Sequence, residues 1–227
     1  MTELRQPPDR FREVARAKLA EPRTLDALDA ATGRLYGART RAWEELSDIE
    51  SLRERAREIR TRTMDDLERH LADFTRAAEA AGASVHSCRT GEEASATIAD
   101  ICRQAGAELA VKSKSMASEE IGLNEALAGA GVEPVETDLG EYILQLAGEH
   151  PVHIIAPAIE KTGVDVAKLF SQAEGRPVSP ELGELTRAAR RQLREAFLRA
   201  DVGITGANFG VAETGSICLV TNEGNGR

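Results

Sequence analysis

The sequence contains little cysteine, few aromatic residues and no long hydrophobic run. Its three cysteines, Cys88, Cys102 and Cys218, are far apart, and none belongs to a C-x-x-C pair. This spacing argues against a disulfide framework, a zinc knuckle or an iron–sulfur cluster held by this chain alone, so we expect no metal site and three small core residues. No apolar run approaches the roughly 20 residues of a membrane span, and the N-terminus lacks a signal-peptide core. We therefore expect a cytoplasmic protein without a membrane span.

The composition favours an α/β protein with a sizeable core. The chain has 227 residues, 41% of them hydrophobic, with 19 glycines but only five Phe, two Tyr and one Trp. Many small residues and few rings suit close-packed helix and sheet layers better than an aromatic-rich β-sandwich. The net charge of -9 gives no sign of a nucleic-acid partner. In the Arg-rich N-terminal part, Arg and Glu alternate at helical spacing between Arg53 and Arg60, which favours a solvated helix over a phosphate site.

Hydrophobic spacing predicts helices first and then an alternation of strands and helices. Apolar residues three and four apart predict helices over residues 11–20, about 24–37 and roughly 40–81, and Gly82 ends the last of them. Short β-branched runs follow, separated by helical patterns. The predicted strands are Ser84–Ser87, Leu109–Ser113, Glu133–Thr137, His153–Ala156, Val202–Thr205 and Ile217–Thr221, and the predicted helices between them lie near 91–105, 118–130, 140–147, 161–173 and 181–200.

This alternation predicts a mainly parallel sheet with right-handed crossovers and helices on both faces. We therefore predict a Rossmann-like three-layer α/β domain at residues 82–227, with an N-terminal helical extension at residues 1–81 that packs on it. Ile217–Thr221 has the pattern of a buried strand, and a domain seldom stops soon after such a strand. We therefore expect the domain to continue beyond this chain.

Polar residues occur at or just after the ends of the second and third predicted strands. A doubly wound sheet binds its ligands beyond the carboxyl ends of its strands. Two lysines and two hydroxyls before a predicted helix suit a carboxylate or a phosphate. Alternatively, Ser118 caps this helix and the lysines face solvent, while the aspartate after the next strand caps a helix together with Glu141. The candidate ligand-binding residues here are Lys112, Ser113, Lys114, Ser115 and Asp138.

A glycine-bearing loop at residues 206–216 is the other candidate. Its glycines permit tight turns and close backbone approach, but the spacing is not G-x-G-x-x-G, so no dinucleotide binding is inferred. A hairpin turn accounts for the same residues. The ligand-binding candidates in this loop are Asn208, Thr214 and Ser216, and the candidate catalytic carboxylates are Glu213 and, in the Asn- and Gly-rich turn that follows, Glu223.

Several of these stretches together resemble the LUD domain of the lactate utilization protein B family. The resemblance spans roughly residues 40–227, and its motifs occur in the order of that family. The stretches that carry it are Lys112–Asn124 (KSKSMASEEIGLN), Glu136–Leu146, His153–Ala158, Gly203–Ser216 and Leu219–Arg227.

The resemblance implies a fold similar to the NagB/RpiA/CoA-transferase group and a part in the oxidation of L-lactate to pyruvate. It also implies other lactate utilization subunits as partners, and a small carboxylate or phosphate as ligand. In this family a ferredoxin-like segment after the LUD domain carries two four-iron four-sulfur clusters. Since its cysteine motifs do not occur in these 227 residues, we expect no cofactor in this chain and the clusters in a missing C-terminal segment.

Two other functions stay open on the residues. One is an enzyme resembling a CoA-transferase or a sugar-phosphate isomerase, with Glu213 or Glu223 as nucleophile or base. The other is a docking module whose long N-terminal helix supplies the interface, either within the chain or across a homo-oligomer. The first alternative predicts turnover by the isolated chain, whereas we expect this domain to need the rest of a redox complex.

Overall fold

The computed structural model describes residues 8–20, 22–149, 156–221 and 223–226. Within these ranges the chain forms ten helices and five short strands. The helices are α1 (Pro8–Leu19), α2 (Pro22–Glu44), α3 (Ile49–Asp65), α4 (Leu67–Ala80), α5 (Gly91–Gln104), α6 (Met116–Glu120), α7 (Leu123–Gly129), α8 (Leu139–Ala147), α9 (Gly163–Glu174) and α10 (Leu182–Arg199), and the strands are β1 (Leu109–Lys112), β2 (Glu133–Glu136), β3 (Val202–Ile204), β4 (Phe209–Val211) and β5 (Ser216–Cys218).

The chain divides into two compact units, each built from separate stretches of sequence. The first, here called the sheet unit, comprises the described parts of Met1–Asp29, Cys88–Gly206 and Thr221–Arg227. The second, here called the hairpin unit, comprises Ala30–Ser87 and Ala207–Val220. The predicted boundary at residue 81 stays a prediction.

A three-stranded parallel sheet, in the order β2-β1-β3, forms the centre of the sheet unit. The central strand β1 aligns Val111 with Val135 of β2 and with Gly203 of β3. Helices α6 and α7 connect β1 to β2, and α8 to α10 lie between β2 and β3, as parallel pairing requires a crossover. The predicted α/β class with a parallel sheet is therefore confirmed for three strands.

Two apolar clusters form the core of the sheet unit. One gathers residues of α5, β1 and α7 around Leu123 and Leu127, which are almost completely buried. The other gathers α8, α9 and α10 around Phe170, whose ring lies 6.2 Å from that of Tyr142. Both clusters combine aliphatic residues with many alanines, which lets the helices approach closely, as the composition indicated.

The hairpin unit pairs β4 and β5 as an antiparallel hairpin. Gly210 lies against the Phe74 ring of α4, and Gly215 lies against the backbone of Ala78 on the same helix. The residue predicted to start a buried final strand, Ile217, is instead 54% exposed in the hairpin. The prediction of a buried strand over Ile217–Thr221 was therefore wrong, because a run of β-branched residues does not distinguish a core strand from a hairpin strand.

Two predicted helices are interrupted. The helix over 40–81 is divided at Asp48 and at Asp66. Each aspartate has non-helical dihedral angles and directly precedes the first residue of a new helix. Aspartate is a preferred residue at helix starts and a poor one inside helices, although neither side chain makes a capping hydrogen bond here. The helix near 118–130 is divided at Gly122, which adopts the left-handed conformation with φ of 63°.

The strand prediction also fails for Ser84–Ser87, which has no regular structure. His153–Ala156 lies outside the described residues except for Ala156, which belongs to no strand. The other strand predictions and the remaining helices are confirmed to within a few residues, except that the helix predicted over about 24–37 continues as α2 to Glu44. No helix in the described ranges has the length and apolarity needed to cross a membrane.

Candidate functional site

Each of the three parallel strands is followed by a hydroxyl residue. Ser113 follows β1, Thr137 follows β2 and Thr205 follows β3. The hydroxyl oxygens of Ser113 and Thr205 lie 2.6 Å apart, and Thr137 donates its hydroxyl to the carbonyl of Lys112 at 2.7 Å. Because parallel strands end at the same edge of a sheet, these residues mark one polar region, here called the strand edge.

Lys112 lies just inside this edge and is 1% exposed. Its ammonium donates to Asn124 Oδ1 at 2.6 Å and to Glu136 Oε1 at 2.7 Å, and Asn124 Nδ2 donates to the same Glu136 oxygen at 2.8 Å. A buried charge requires such partners. The alternative in which both lysines face solvent is therefore wrong for Lys112, whose charge is balanced by Glu136 inside the protein.

Glu141, in the first turn of α8, is buried beside a second carboxyl group. Burial is the main cause that raises the pKa of Glu141 to about 9, and a hydrogen bond with Glu119 and the charges of Glu119 and Glu136 raise it further. Lys114, whose ammonium lies 3.6 Å from the Glu141 carboxyl, acts in the opposite direction. Glu141 therefore carries a proton at neutral pH and is a hydrogen-bond donor as well as an acceptor.

Serine and aspartate side chains cap the helices that begin at the strand edge. Asp138 accepts hydrogen bonds from the backbone N–H groups of Gly140 at 3.1 Å and Glu141 at 3.4 Å. The expected cap role of Asp138 is thus present, although the Glu141 side chain contacts Glu119 instead. Ser115, and not Ser118, caps α6, since its hydroxyl accepts the Ser118 N–H at 3.2 Å.

The last described residues lie along the strand edge. Asn225 donates its amide to the Thr137 hydroxyl at 3.1 Å, and Glu223 accepts the N–H of Leu139 at 3.2 Å. A Cβ added at Gly226 would lie 3.5 Å from the Ser113 hydroxyl. The pKa of Glu223 lies above its usual value. Partial burial and the charge of Asp138 raise this pKa by more than the Leu139 N–H and Lys114 lower it.

An open pocket of about 690 Å³ adjoins this edge. Arg190 and Arg194 of α10 contribute its cations, and Glu223 contributes a carboxylate. Sequence reasoning missed both arginines, although a signal exists: neither has an acidic residue three or four positions away, unlike Arg187 and Arg199 of the same helix. The lining residues are Thr137, Leu139, Thr186, Ala189, Arg190, Leu193, Arg194, Phe197, Glu223, Gly224 and Asn225.

The candidates of the glycine-bearing loop belong to the hairpin unit. Asn208 accepts the Val220 N–H at 2.7 Å, and Thr214 donates its hydroxyl to Ser216 at 2.9 Å, so these side chains stabilise the hairpin and its turn. Glu213 is exposed. Their predicted convergence with Lys114 and Asp138 in one crevice stays a prediction.

The cysteines do not form a ligand set for an iron–sulfur cluster. Cys102 is buried in the core as expected, but Cys88 is half-buried and Cys218 is exposed on the hairpin, where a core position was predicted. In the part of the chain that the structure describes, no group of three or more His, Cys, Asp or Glu side chains could hold a metal ion. No step of chemistry through a cluster follows from these residues.

Comparison with known proteins identifies relatives over most of the chain. The model of the LUD domain family matches residues 71–227. The lactate utilization protein B of Bacillus cereus strain AH820 and that of Bacillus thuringiensis strain Al Hakam are each 44% identical to this chain over 199 residues. These alignments cover 88% of the chain but 42% of each relative, so the chain spans less than half of their length. No solved structure matches.

Proposed function

Because the chain belongs to the LUD domain family, we propose that it acts in lactate utilization, as part of a cytoplasmic redox protein that oxidises L-lactate to pyruvate. The observation that carries this proposal is the 44% identity to lactate utilization protein B over 88% of the chain. Identity at this level along most of the domain supports a shared function more strongly than a shared fold does.

The finer description of the fold is also part of the proposal. The parallel order β2-β1-β3, with helices in both connections, is compatible with the NagB/RpiA/CoA-transferase group. Ligands of such sheets bind beyond the carboxyl ends of the strands. The strand edge is the corresponding region of this chain.

The strand edge is proposed to bind a small carboxylate, such as L-lactate or pyruvate. Lys114, at 27% side-chain exposure, supplies a cation, and the hydroxyls of Ser113 and Thr205 supply hydrogen bonds. Glu141 would repel an anion if it were ionised, but its pKa near 9 keeps it uncharged at neutral pH. Lys112 takes no direct part, because its ammonium is bonded to Glu136 and Asn124.

Electron transfer is assigned to other parts of the protein and to its partners. The proposal places two four-iron four-sulfur clusters in sequence that follows residue 227 and assigns other lactate utilization proteins as the partner subunits. Support comes from the lengths alone: the relatives are more than twice as long as the stretch they share with this chain.

A matched pair of lysine variants tests the carboxylate site. The full-length protein that contains this domain is expressed in a host that lacks only its own lactate utilization protein B gene and keeps the genes of the partner subunits, and growth on L-lactate is compared with growth on pyruvate. Lys114→Gln is expected to slow growth on L-lactate only, and to weaken L-lactate binding by about tenfold or more, since a charged hydrogen bond is lost. Lys168→Gln, on the exposed surface of α9, is the control.

Two results would contradict different parts of the proposal. If the wild-type protein does not restore growth on L-lactate, the assigned function is wrong. If Lys114→Gln grows and binds L-lactate like Lys168→Gln, the function stands but the strand edge is not the carboxylate site. A thermal melt of both variants shows whether a loss of growth arises from unfolding instead.

A further inference from the structure

Two of the five arginines of α10 differ from the others in their surroundings. Arg187, Arg191 and Arg199 each lie within 4.0 Å of a carboxylate, on Glu184, Glu174 and Glu195 respectively. Arg190 and Arg194 form no ion pair with any described residue. They are one helical turn apart, so both guanidinium groups belong to the same face of α10.

That face is the wall of the 690 Å³ pocket, which also has apolar and hydrogen-bonding surfaces. Leu139, Leu193 and Phe197 provide apolar area beside the two arginines. Glu223 and Asn225 provide hydrogen-bonding groups in the same pocket. Pockets of about 300 to 1,000 Å³ that combine apolar walls with a few placed polar groups are typical of small-molecule sites.

We infer that this pocket is a second ligand site, and that it binds an organic phosphate of nucleotide size through Arg190 and Arg194. A phosphate monoester carries nearly two negative charges at neutral pH, which matches two guanidinium groups better than the single charge of a carboxylate does. Each arginine can also donate two parallel hydrogen bonds to two oxygens of the same phosphate.

The other lining residues indicate the rest of the ligand. The pocket is much larger than a three-carbon acid requires, so a ligand that fills it has a body beyond its phosphate. Phe197, which is 40% exposed, offers a ring face for stacking on a planar group. Glu223 can accept hydrogen bonds from sugar hydroxyls, as acidic residues do in many nucleotide sites. A nucleoside phosphate has all three parts.

Binding of ADP to the purified full-length protein that contains this domain tests this inference, with adenosine and inorganic pyrophosphate as the two partial ligands. ADP is expected to bind at a single site and more tightly than either part. The double variant Arg190→Gln/Arg194→Gln is expected to lose about tenfold or more in ADP affinity, whereas Arg190→Lys/Arg194→Lys retains part of it. Arg187→Gln, which removes an exposed arginine outside the pocket, is the control and keeps the wild-type affinity.

Three outcomes would overturn the inference. The first is that ADP does not bind the wild-type full-length protein at millimolar concentration. The second is that the double glutamine variant binds ADP as tightly as Arg187→Gln does. The third is that pyrophosphate alone binds as tightly as ADP, because the apolar part of the pocket would then have no role. Titration of L-lactate into the double variant is independent of all three, so the carboxylate site is judged separately.

Discussion

Lys112 has almost no contact with solvent, and its two hydrogen-bond partners are buried with it. Lys112→Met keeps the length of the side chain but leaves the Glu136 carboxylate without its cation. Breaking a buried ion pair in this way costs roughly 3 to 5 kcal/mol. We therefore expect the free energy of unfolding, measured in urea, to fall by about this amount.

A second substitution separates the cost of the lone carboxylate from the cost of altered packing. The double variant Lys112→Met/Glu136→Leu replaces the pair by apolar groups and is expected to regain more than half of the lost stability. Lys168→Met, at an exposed position of α9, should change stability by at most ~0.5 kcal/mol. Equal stability of Lys112→Met and the wild type would show that the buried pair is not formed in solution.

Glu141 makes stability depend on pH in a direction that is unusual for a carboxyl group. Because its pKa rises from 4.5 in the unfolded chain to about 9 in the folded protein, the folded state holds one more proton between these pH values. The stability contribution of this group is therefore complete below pH 4.5 and is lost as pH rises toward 9, at up to ~1.4 kcal/mol per pH unit.

Glu141→Gln mimics the protonated side chain and is expected to remove this loss. Urea unfolding of the wild type and the variant should give similar stabilities near the acidic end of the range, and a growing advantage of the variant as pH increases. A constant difference between the two proteins at all pH values would mean that Glu141 titrates normally in the folded protein.

At the strand edge, sequence reasoning predicted the positions of Lys112 and Ser113 but not the partners of their side chains. Lys112 and Ser113 were placed at the end of β1 because the short apolar run Leu109–Val111 precedes them, and this position is confirmed. Their partners come from the register of the parallel sheet, in which Lys112 is aligned with Glu136. Register is a tertiary property that one strand does not encode, so neither the burial of Lys112 nor the proton on Glu141 was predictable.

At the scale of single elements, local signals predicted where helices occur better than where they break. The apolar stripe continues through Asp48 and Asp66, so periodicity alone predicted one helix where the structure has three segments. Aspartate at both breaks was a usable signal, because it favours helix starts. The strand predicted at Ser84–Ser87, whose single β-branched residue is Val85, failed for another reason, since a short run forms a strand only where a neighbouring strand is available.

Gly215 is the residue on which packing of the hairpin against α4 most clearly depends. Its φ is +68°, and a Cβ at this position would lie 2.2 Å from the backbone nitrogen of Ala78. Gly215→Ala therefore combines left-handed strain with a backbone clash, and we expect a loss of about 2 kcal/mol or more. Hydrogen exchange of the β4 and β5 amides, which reports local opening, is the measurement.

The same chemical change elsewhere should have the opposite sign. Gly33 lies inside α2, and a Cβ there would meet nothing within 4 Å. Gly33→Ala is therefore expected to stabilise the chain by up to ~1 kcal/mol. If Gly215→Ala leaves exchange of the hairpin amides unchanged, the hairpin does not pack on α4 as described.

At the scale of the whole molecule, the strand edge joins parts that are distant in sequence. Ser113 contacts Thr205, which is 92 residues further along the chain, and Thr137 contacts Asn225 across 88 residues. The parallel topology that brings them together follows from alternating strands and helices, so the location of the edge was predictable. The contributions of Asn225 and of Arg190 and Arg194 were not, because they depend on how the last segment and α10 pack.

The charge of Glu223 distinguishes the two main functional hypotheses at this scale. If the strand edge binds a carboxylate, the negative charge of Glu223 near Lys114 repels that ligand. Glu223→Gln removes this repulsion of L-lactate and keeps a hydrogen-bond acceptor for the Leu139 N–H. We expect the full-length variant to bind L-lactate about two- to fivefold more tightly and to grow on it normally. In a CoA-transferase-like enzyme with Glu223 as nucleophile, the same change abolishes activity, because an amide cannot form the acyl intermediate. Glu213→Gln, on the exposed hairpin turn, is the matched control and should leave both L-lactate binding and growth unchanged. Loss of growth in the Glu213→Gln variant alone would assign the nucleophile to Glu213 and contradict the proposed role of the strand edge.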